Sequence, residues 1–178
     1  MIIAVIGGSD PAPQALEQAE AVGRELAERG HTVICGGLGG VMEAACRGAR
    51  EAGGRTIGVL PGADAAAANA YVEFPIVTNM GVARNAVIVL TAAAAIAIDG
   101  SYGTLSEIAI ALNLGRPVVG LGTWRISADD GVEDERILRA DDAVQAVDLA
   151  VAAAERAPAG SAASSSAPAS RATQGGAL

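Results

Sequence analysis

Lysine is missing from this chain: all 12 of its basic residues are arginines. That excludes a P-loop lysine, a Schiff base to pyridoxal phosphate and a Ser-Lys dyad. Aromatics are nearly as scarce, with one Trp, one Phe and two Tyr, which leaves no platform for stacking nucleic-acid bases. A net charge of −8 gives no basic groove for nucleic acid and no attraction to an anionic membrane. The single histidine, His31, stands just before the second predicted strand, at the end of the fold opposite the glycine-rich turns, and is read as a surface residue. Cys35 and Cys46 fit no metal-ligand spacing and are too few for a disulfide scaffold, so no metal and no resident cofactor is expected. The longest apolar run, 86–98, falls short of the ~20 residues of a spanning helix, and Arg84, Asn85 and Asp99 bound it. The first residues carry neither the basic region nor the cleavage site of a signal peptide. A cytoplasmic location is expected.

What is present is aliphatic. Hydrophobic residues make up 51% of the 178, enough for one domain with a sizeable core built from Ala, Val, Ile and Leu. That domain is expected over 1–156, followed at 157–178 by a disordered tail of Ala, Ser, Pro and Gly. Residues 2–6 are an all-apolar run stopped by glycine, the pattern of a strand buried on both faces. A helix is expected next, with Asp10 as N-cap and Pro11 at its first position, running to about Arg29. Leu16, Ala19, Val22, Gly23 and Leu26 take its core-facing positions. Thr32 to Cys35 reads as a second strand, Val41 to about Ala52 as a helix, and Arg55 to Leu60 as a third strand. This alternation predicts an α/β fold: a doubly wound, mainly parallel sheet with helices on both faces and ligands outside the carboxyl ends of the strands.

Farther on, 61–71 reads as a lid or a loosely packed connection, and 72–77 as a strand. A helix carrying Arg84 and Asn85 follows, then a strand at 94–98 and a helix from Thr104 to Leu114. Pro117 to Leu121 is the next strand, 122–139 is expected to be irregular, and Asp141-Asp142 opens the last helix.

The chemistry concentrates in residues 99–107. Gly100 and Gly103 are expected to take positive φ and bring backbone close to a ligand, while Ser101 and Thr104 place hydroxyls beside the free N–H groups of a helix start, a corner that attracts phosphate. Glu107 adds a carboxylate one turn on, although Thr104-x-x-Glu107 equally fits a capping box. The glycine loop at 36–40 misses the dinucleotide fingerprint. Its amides at Gly37, Gly39 and Gly40 either hold an anion or simply make a tight turn. Gly8 and Ser9, after the first strand, offer a second such turn with a capping or ligand-contacting hydroxyl. Arg84 opposes the dipole of its own helix, which hints at an anionic ligand or marks a solvated arginine.

Together, Gly36-Gly37-Leu38-Gly39-Gly40-Val41-Met42, Arg84 and Gly100-Ser101-Tyr102-Gly103-Thr104-Leu105-Ser106-Glu107 resemble the Lonely Guy phosphoribohydrolases, a lysine-decarboxylase-like superfamily with a Rossmann-like fold. The resemblance covers roughly residues 1–121. It implies Arg84 and Glu107 as a catalytic pair that releases base and ribose 5-phosphate from a nucleoside 5′-monophosphate, and Gly100, Gly103 and Thr104 as its phosphate cradle. Three positions depart from the family pattern. Asp99 and Ser101 replace its proline and second glycine, and Asn85 replaces its lysine. Those departures look like a sister branch of bacterial and archaeal Rossmann proteins that also resembles the molybdenum cofactor carrier proteins. This implies as the alternative a non-catalytic carrier or sensor of a phosphorylated pterin or nucleotide, with Asp99 turned to a sugar hydroxyl. A phosphorylated small molecule is the expected partner. A homo-oligomer is expected from the resemblance and from the apolar segment around Trp124.

Overall fold

The computed structural model describes residues 1–157 except 128 and 130, so the tail expected at 157–178 lies, but for its first residue, outside the described residues. Strands β1 (Ile2–Gly7), β2 (Thr32–Cys35), β3 (Arg55–Leu60), β4 (Phe74–Val77), β5 (Ala94–Ile98), β6 (Val118–Leu121) and β7 (Ile137–Arg139) form one sheet in the order β4-β3-β2-β1-β5-β6-β7. Every pairing is parallel. Helices α1 (Pro13–Glu28), α2 (Val41–Glu51) and α5 (Ala143–Arg156) cover one face, and α3 (Asn85–Thr91) and α4 (Tyr102–Asn113) cover the other.

The central strand shows why the sequence takes this form. Successive side chains of a strand point to opposite faces, so Ile3 and Val5 enter the core under α1, α2 and α5, while Ala4 and Ile6 enter the core under α3 and α4. With both faces covered, every position must be apolar, as in β5, where all five residues are buried. β1 pairs with β2 on one side and β5 on the other. The chain order reverses at that point, and a crevice opens between the carboxyl ends of β1 and β5.

Some expected boundaries move. α1 begins at Pro13 with Ala12 as its N-cap. Of two prolines two residues apart, the second takes the first helical turn, so Asp10 and Pro11 lie in the preceding turn. Ala19, Val22, Gly23 and Leu26 are buried as expected, while Leu16 is half-buried against the same core. α4 starts at Tyr102, not Thr104, with Ser101 as N-cap. The region read as irregular contains β7, which extends the sheet beyond β6.

Two helical glycines set the distance between α1 and α2. A Cβ built on Gly23 would stand 2.0 Å from the Ala45 carbonyl oxygen, and one on Gly48 would stand 2.0 Å from that of Glu20. Helix packing at this crossing is therefore backbone on backbone. Gly23→Ala should destabilise the fold by about 1–3 kcal/mol through overpacking, although alanine favours an isolated helix by about 1 kcal/mol. Gly62→Ala, at a position with open space around it, should be near neutral; urea unfolding of both variants checks this.

Candidate functional site

A cavity of about 90 Å³ opens at the crevice between β1 and β5. Its floor is Ile6 and Gly7 from the end of β1. One wall is Ser101, Gly103, Thr104 and Glu107 from the start of α4, and Arg84 and Asn85 stand at the junction into α3. Gly36, Leu38 and Met42 close the side toward β2 and α2, and Ser9 stands at the rim.

Arg84 and Glu107 meet. Arg84 Nη1 donates to Glu107 Oε1 at 3.2 Å, and the two side chains are 11% and 7% exposed. The same nitrogen donates to Asn85 Oδ1 at 2.6 Å, and Asn85 Nδ2 donates to Ser106 Oγ at 2.7 Å and toward the Gly103 carbonyl at 3.4 Å. Asn85 thereby ties the guanidinium to the first turn of α4. Space for it comes from Gly36, where a Cβ would lie 2.4 Å from Arg84 Nη2. Arg84 ends a short 3₁₀ turn, Gly81–Arg84, and the Glu107 carboxylate answers the mismatch between its charge and the start of α3. Burial pushes the Glu107 carboxyl up from the ordinary 4.5 to about 7, against the opposing pull of Arg84.

Two buried polar atoms, Arg84 Nε and Thr104 Oγ1, have no hydrogen-bond partner among the described residues. Thr104 is the third residue of α4, a 12-residue helix whose Ser101 side chain makes no capping bond. The first-turn N–H groups there lack intrahelical acceptors and carry the positive end of the helix dipole. Thr104 lies inside the helix, so the capping box considered as the alternative for Thr104 and Glu107 is not formed.

Half of the residues singled out in the sequence line the cavity: Arg84, Glu107, Ser9, Ser101, Gly103 and Thr104. The other half surround it. Gly100, at φ 122°, leaves room for Thr104, since a Cβ there would stand 2.6 Å from the Thr104 Cβ. Gly40, at φ 67°, lies against the first loop, where a Cβ would meet the Gly8 carbonyl oxygen at 2.4 Å, and the Gly8 carbonyl accepts from Val41 N–H at 3.0 Å. Gly37 N–H bonds Cys35 Sγ at 3.3 Å, and its carbonyl accepts from Asn69 N–H at 2.9 Å. Gly39 is half-buried beside Glu43. Asp99 takes φ 50°, and its carbonyl accepts from Thr123 Oγ1. Gly100 takes the positive φ expected of it, whereas Gly103 is helical and Asp99 takes a positive φ in the same turn.

Asn69 pins the 61–71 segment through its backbone N–H and through Nδ2, which donates to the Leu38 carbonyl at 2.9 Å. That connection is thus fastened to the glycine loop beside the cavity, tighter than the loose packing considered from sequence. Cys35 and Cys46 are free, buried thiols with their sulfurs 3.5 Å apart. Among the described residues no cluster of His, Cys, Asp and Glu could hold a metal ion, and no helix is long and apolar enough to cross a membrane.

Because Glu107 binds its proton more tightly in the folded chain than in the unfolded one, its contribution to stability is full below the ordinary 4.5 and is lost as pH rises through about 7. The stability difference between wild type and Glu107→Gln should therefore shift toward the variant by up to roughly 3 kcal/mol between acid and mildly alkaline pH. Urea unfolding across that range measures it, and a difference independent of pH would contradict the assignment.

The similarities to known proteins agree with this architecture. An uncharacterized protein of Archaeoglobus fulgidus is 45% identical over 121 residues, 68% of this chain and 80% of that protein. The molybdenum cofactor binding protein of the phototrophic bacterium Rippkaea orientalis superposes with a TM-score of 0.78 at 33% identity, over 85% of this chain and 95% of that one. The molybdenum cofactor carrier protein of Chlamydomonas reinhardtii does so with a TM-score of 0.77 at 36% identity, over 88% and 98%. The family model of SLOG cluster4 matches residues 1–150, and the chain belongs to that family.

Proposed function

We propose that this protein binds a phosphorylated, pterin- or nucleotide-like small molecule, with its anionic group in the cavity at the start of α4, and that it acts as a carrier of that molecule. The observation that carries the reading is the pair of buried polar atoms without partners, Arg84 Nε and Thr104 Oγ1, at the positive end of a helix. Such atoms are expensive to bury unless something bonds them, and a phosphoryl oxygen is the acceptor that suits both. At about 90 Å³ the cavity is well below the roughly 300–1,000 Å³ of a pocket that encloses a drug-sized ligand. It therefore takes the anionic group and leaves the ring system over the mouth, beside the Ser9 and Ser101 hydroxyls. Similarity to the molybdenum cofactor binding and carrier proteins favours a pterin as cargo.

Hydrolysis of a nucleoside 5′-monophosphate is the second reading, and the Glu107 carboxyl, pushed up to about 7 by burial, favours it. A carboxyl held near neutrality can protonate a departing base in one form and steady an oxocarbenium-like sugar in the other. Both readings use the same cradle and differ in whether a bond breaks.

Titration calorimetry with a nucleoside 5′-monophosphate, paired with an assay for free base, separates them. Binding without free base is the expected result, together with pterin fluorescence in oxidised extracts of the purified protein. Arg84→Ala should weaken binding by about 10- to 100-fold, the range for a lost charged hydrogen bond. Release of base that disappears in Glu107→Gln would establish the hydrolase instead, and failure of every phosphorylated probe to bind would remove both readings.

We also propose self-association, through a surface other than the one expected. Trp124 is half-buried; it donates from Nε1 to the Ser101 carbonyl at 3.2 Å and packs against Tyr102 at 5.8 Å between ring centroids. Five of the ten large apolar side chains exposed among the described residues lie on the edge strand β4 and the turn after it: Phe74, Ile76, Val77, Met80 and Val82, the last 84% exposed. Apolar side chains exposed along a sheet edge mark an interaction surface. Light scattering should find an oligomer for the wild type and a monomer of unchanged circular dichroism for Ile76→Lys with Val82→Asp.

A further inference from the structure

We propose that the ligand's anion and the Glu107 carboxylate compete for one guanidinium, so that the anion binds together with a proton taken up by Glu107. The inference rests on reading the cavity as an anion site and adds a regulation of that site by pH.

Arg84 is the one cationic side chain among the residues lining the cavity, and the hydrogen bond that reaches the Glu107 carboxylate among the described residues comes from it. Thr104, whose hydroxyl lacks a partner, precedes Glu107 by three residues on the same face of α4, so an anion held at Thr104 lies beside the carboxylate. Both side chains of the ion pair are nearly out of water, which leaves little solvent to screen a second negative charge. Two anions that share one cation in such a place do not both stay charged; the weaker acid takes up a proton. For Glu107 that step is short, because burial already holds it near neutrality.

The groups facing Glu107 set no obstacle. Arg84 approaches from the 3₁₀ turn, and the neutral Asn85 of α3 bonds the same guanidinium nitrogen. The Cys35 thiol at the end of β2 is the other titratable group that senses both members of the pair. The proton comes from solvent and forms an O–H bond on the carboxyl. Glu107 then becomes a donor, and its repulsion of the ligand turns into a hydrogen bond to it. In the absence of ligand the carboxylate keeps the guanidinium paired, as an internal substitute for the anion.

Sulfate is the suitable probe, because its charge does not change over the relevant range. Its affinity for the wild type, measured by calorimetry, should rise about tenfold per pH unit as pH falls from about 8.5 to about 7, and level off below. Repeating the titration near pH 8 in two buffers of different ionisation enthalpy should give an uptake approaching one proton per sulfate. Glu107→Gln should bind sulfate with the same affinity across the range and more tightly than wild type at alkaline pH. Sulfate binding that is independent of pH, with no proton uptake by the wild type, would overturn the linkage and leave the anion site standing. Absence of sulfate binding at both ends of the range would overturn the anion site and the linkage with it. The wild-type proton count decides the matter even where the variant folds poorly.

Discussion

The contact between Arg84 and Glu107 is the constraint around which this end of the molecule is arranged. Taking two charges out of water is unfavourable by several kcal/mol each, and their attraction offsets this only when the remaining donors and acceptors are also satisfied. The surroundings supply part of what is needed. Asn85 accepts from the guanidinium and anchors itself on Ser106, Gly36 leaves the space that the guanidinium fills, and the start of α4 presents its positive pole beside the carboxylate. Arg84 Nε and Thr104 Oγ1 are left over. A buried pair that is almost but not wholly satisfied is a poor device for stability and a good one for recognition, since a ligand can complete it.

The position of the pair follows from the sheet. β1 and β5 are neighbours in space although three α-helices and three strands separate them in sequence, and their outgoing chains turn to opposite faces. β1 leads to α1 on one face, and β5 leads to α4 on the other. The polar groups gathered there sit at the one central place where the backbone itself opens a gap, so they interrupt neither apolar core. The close contact of α1 and α2 at Gly23 and Gly48, and the seating of Gly40 on the first loop, keep the glycine turns near that gap.

Much of this was legible in the sequence because strands buried on both faces announce themselves. The runs at 2–6, 32–35, 55–60 and 94–98 leave no alternative to a covered parallel sheet, and the structure places strands there. β7 was missed because it is three residues long and half-buried beyond its first position, so its pattern does not stand out from the charged segment before it. The start of α4 was misjudged because Thr104 is the better capping residue in isolation, whereas the chain turns into the helix already at Ser101. Local propensity gave way to the geometry of the strand's exit.

The site was legible in its charges and less so in its glycines. Arg84 stood out as a cation at the wrong end of a helix, and its partner proved to be the carboxylate already under suspicion. Asn85 was noticed only as a departure from a family pattern, because its function depends on Ser106 and Gly103 arriving from another helix. Gly37 and Gly40 look like Gly103 in a sequence, yet one bonds a cysteine sulfur and an asparagine, one makes room for a neighbouring loop, and only Gly103 lines the cavity. A glycine records that something comes close without saying whether it is backbone or ligand.

The same contact bears on whether a bond is broken here. A hydrolase needs its carboxylate charged and turned toward the sugar as positive charge develops there. Glu107 is turned toward Arg84, and the guanidinium largely cancels its charge. Both weaken the stabilisation of a developing cation, whereas the proposed grip on a phosphoryl group needs Arg84 and Thr104 and not a charged Glu107. Interactions that hold ground state and transition state equally strengthen binding without hastening reaction. A carrier requires that balance, since its cargo must be held and released unchanged, and Glu107 would have to leave Arg84 before the same residues could serve as a hydrolase.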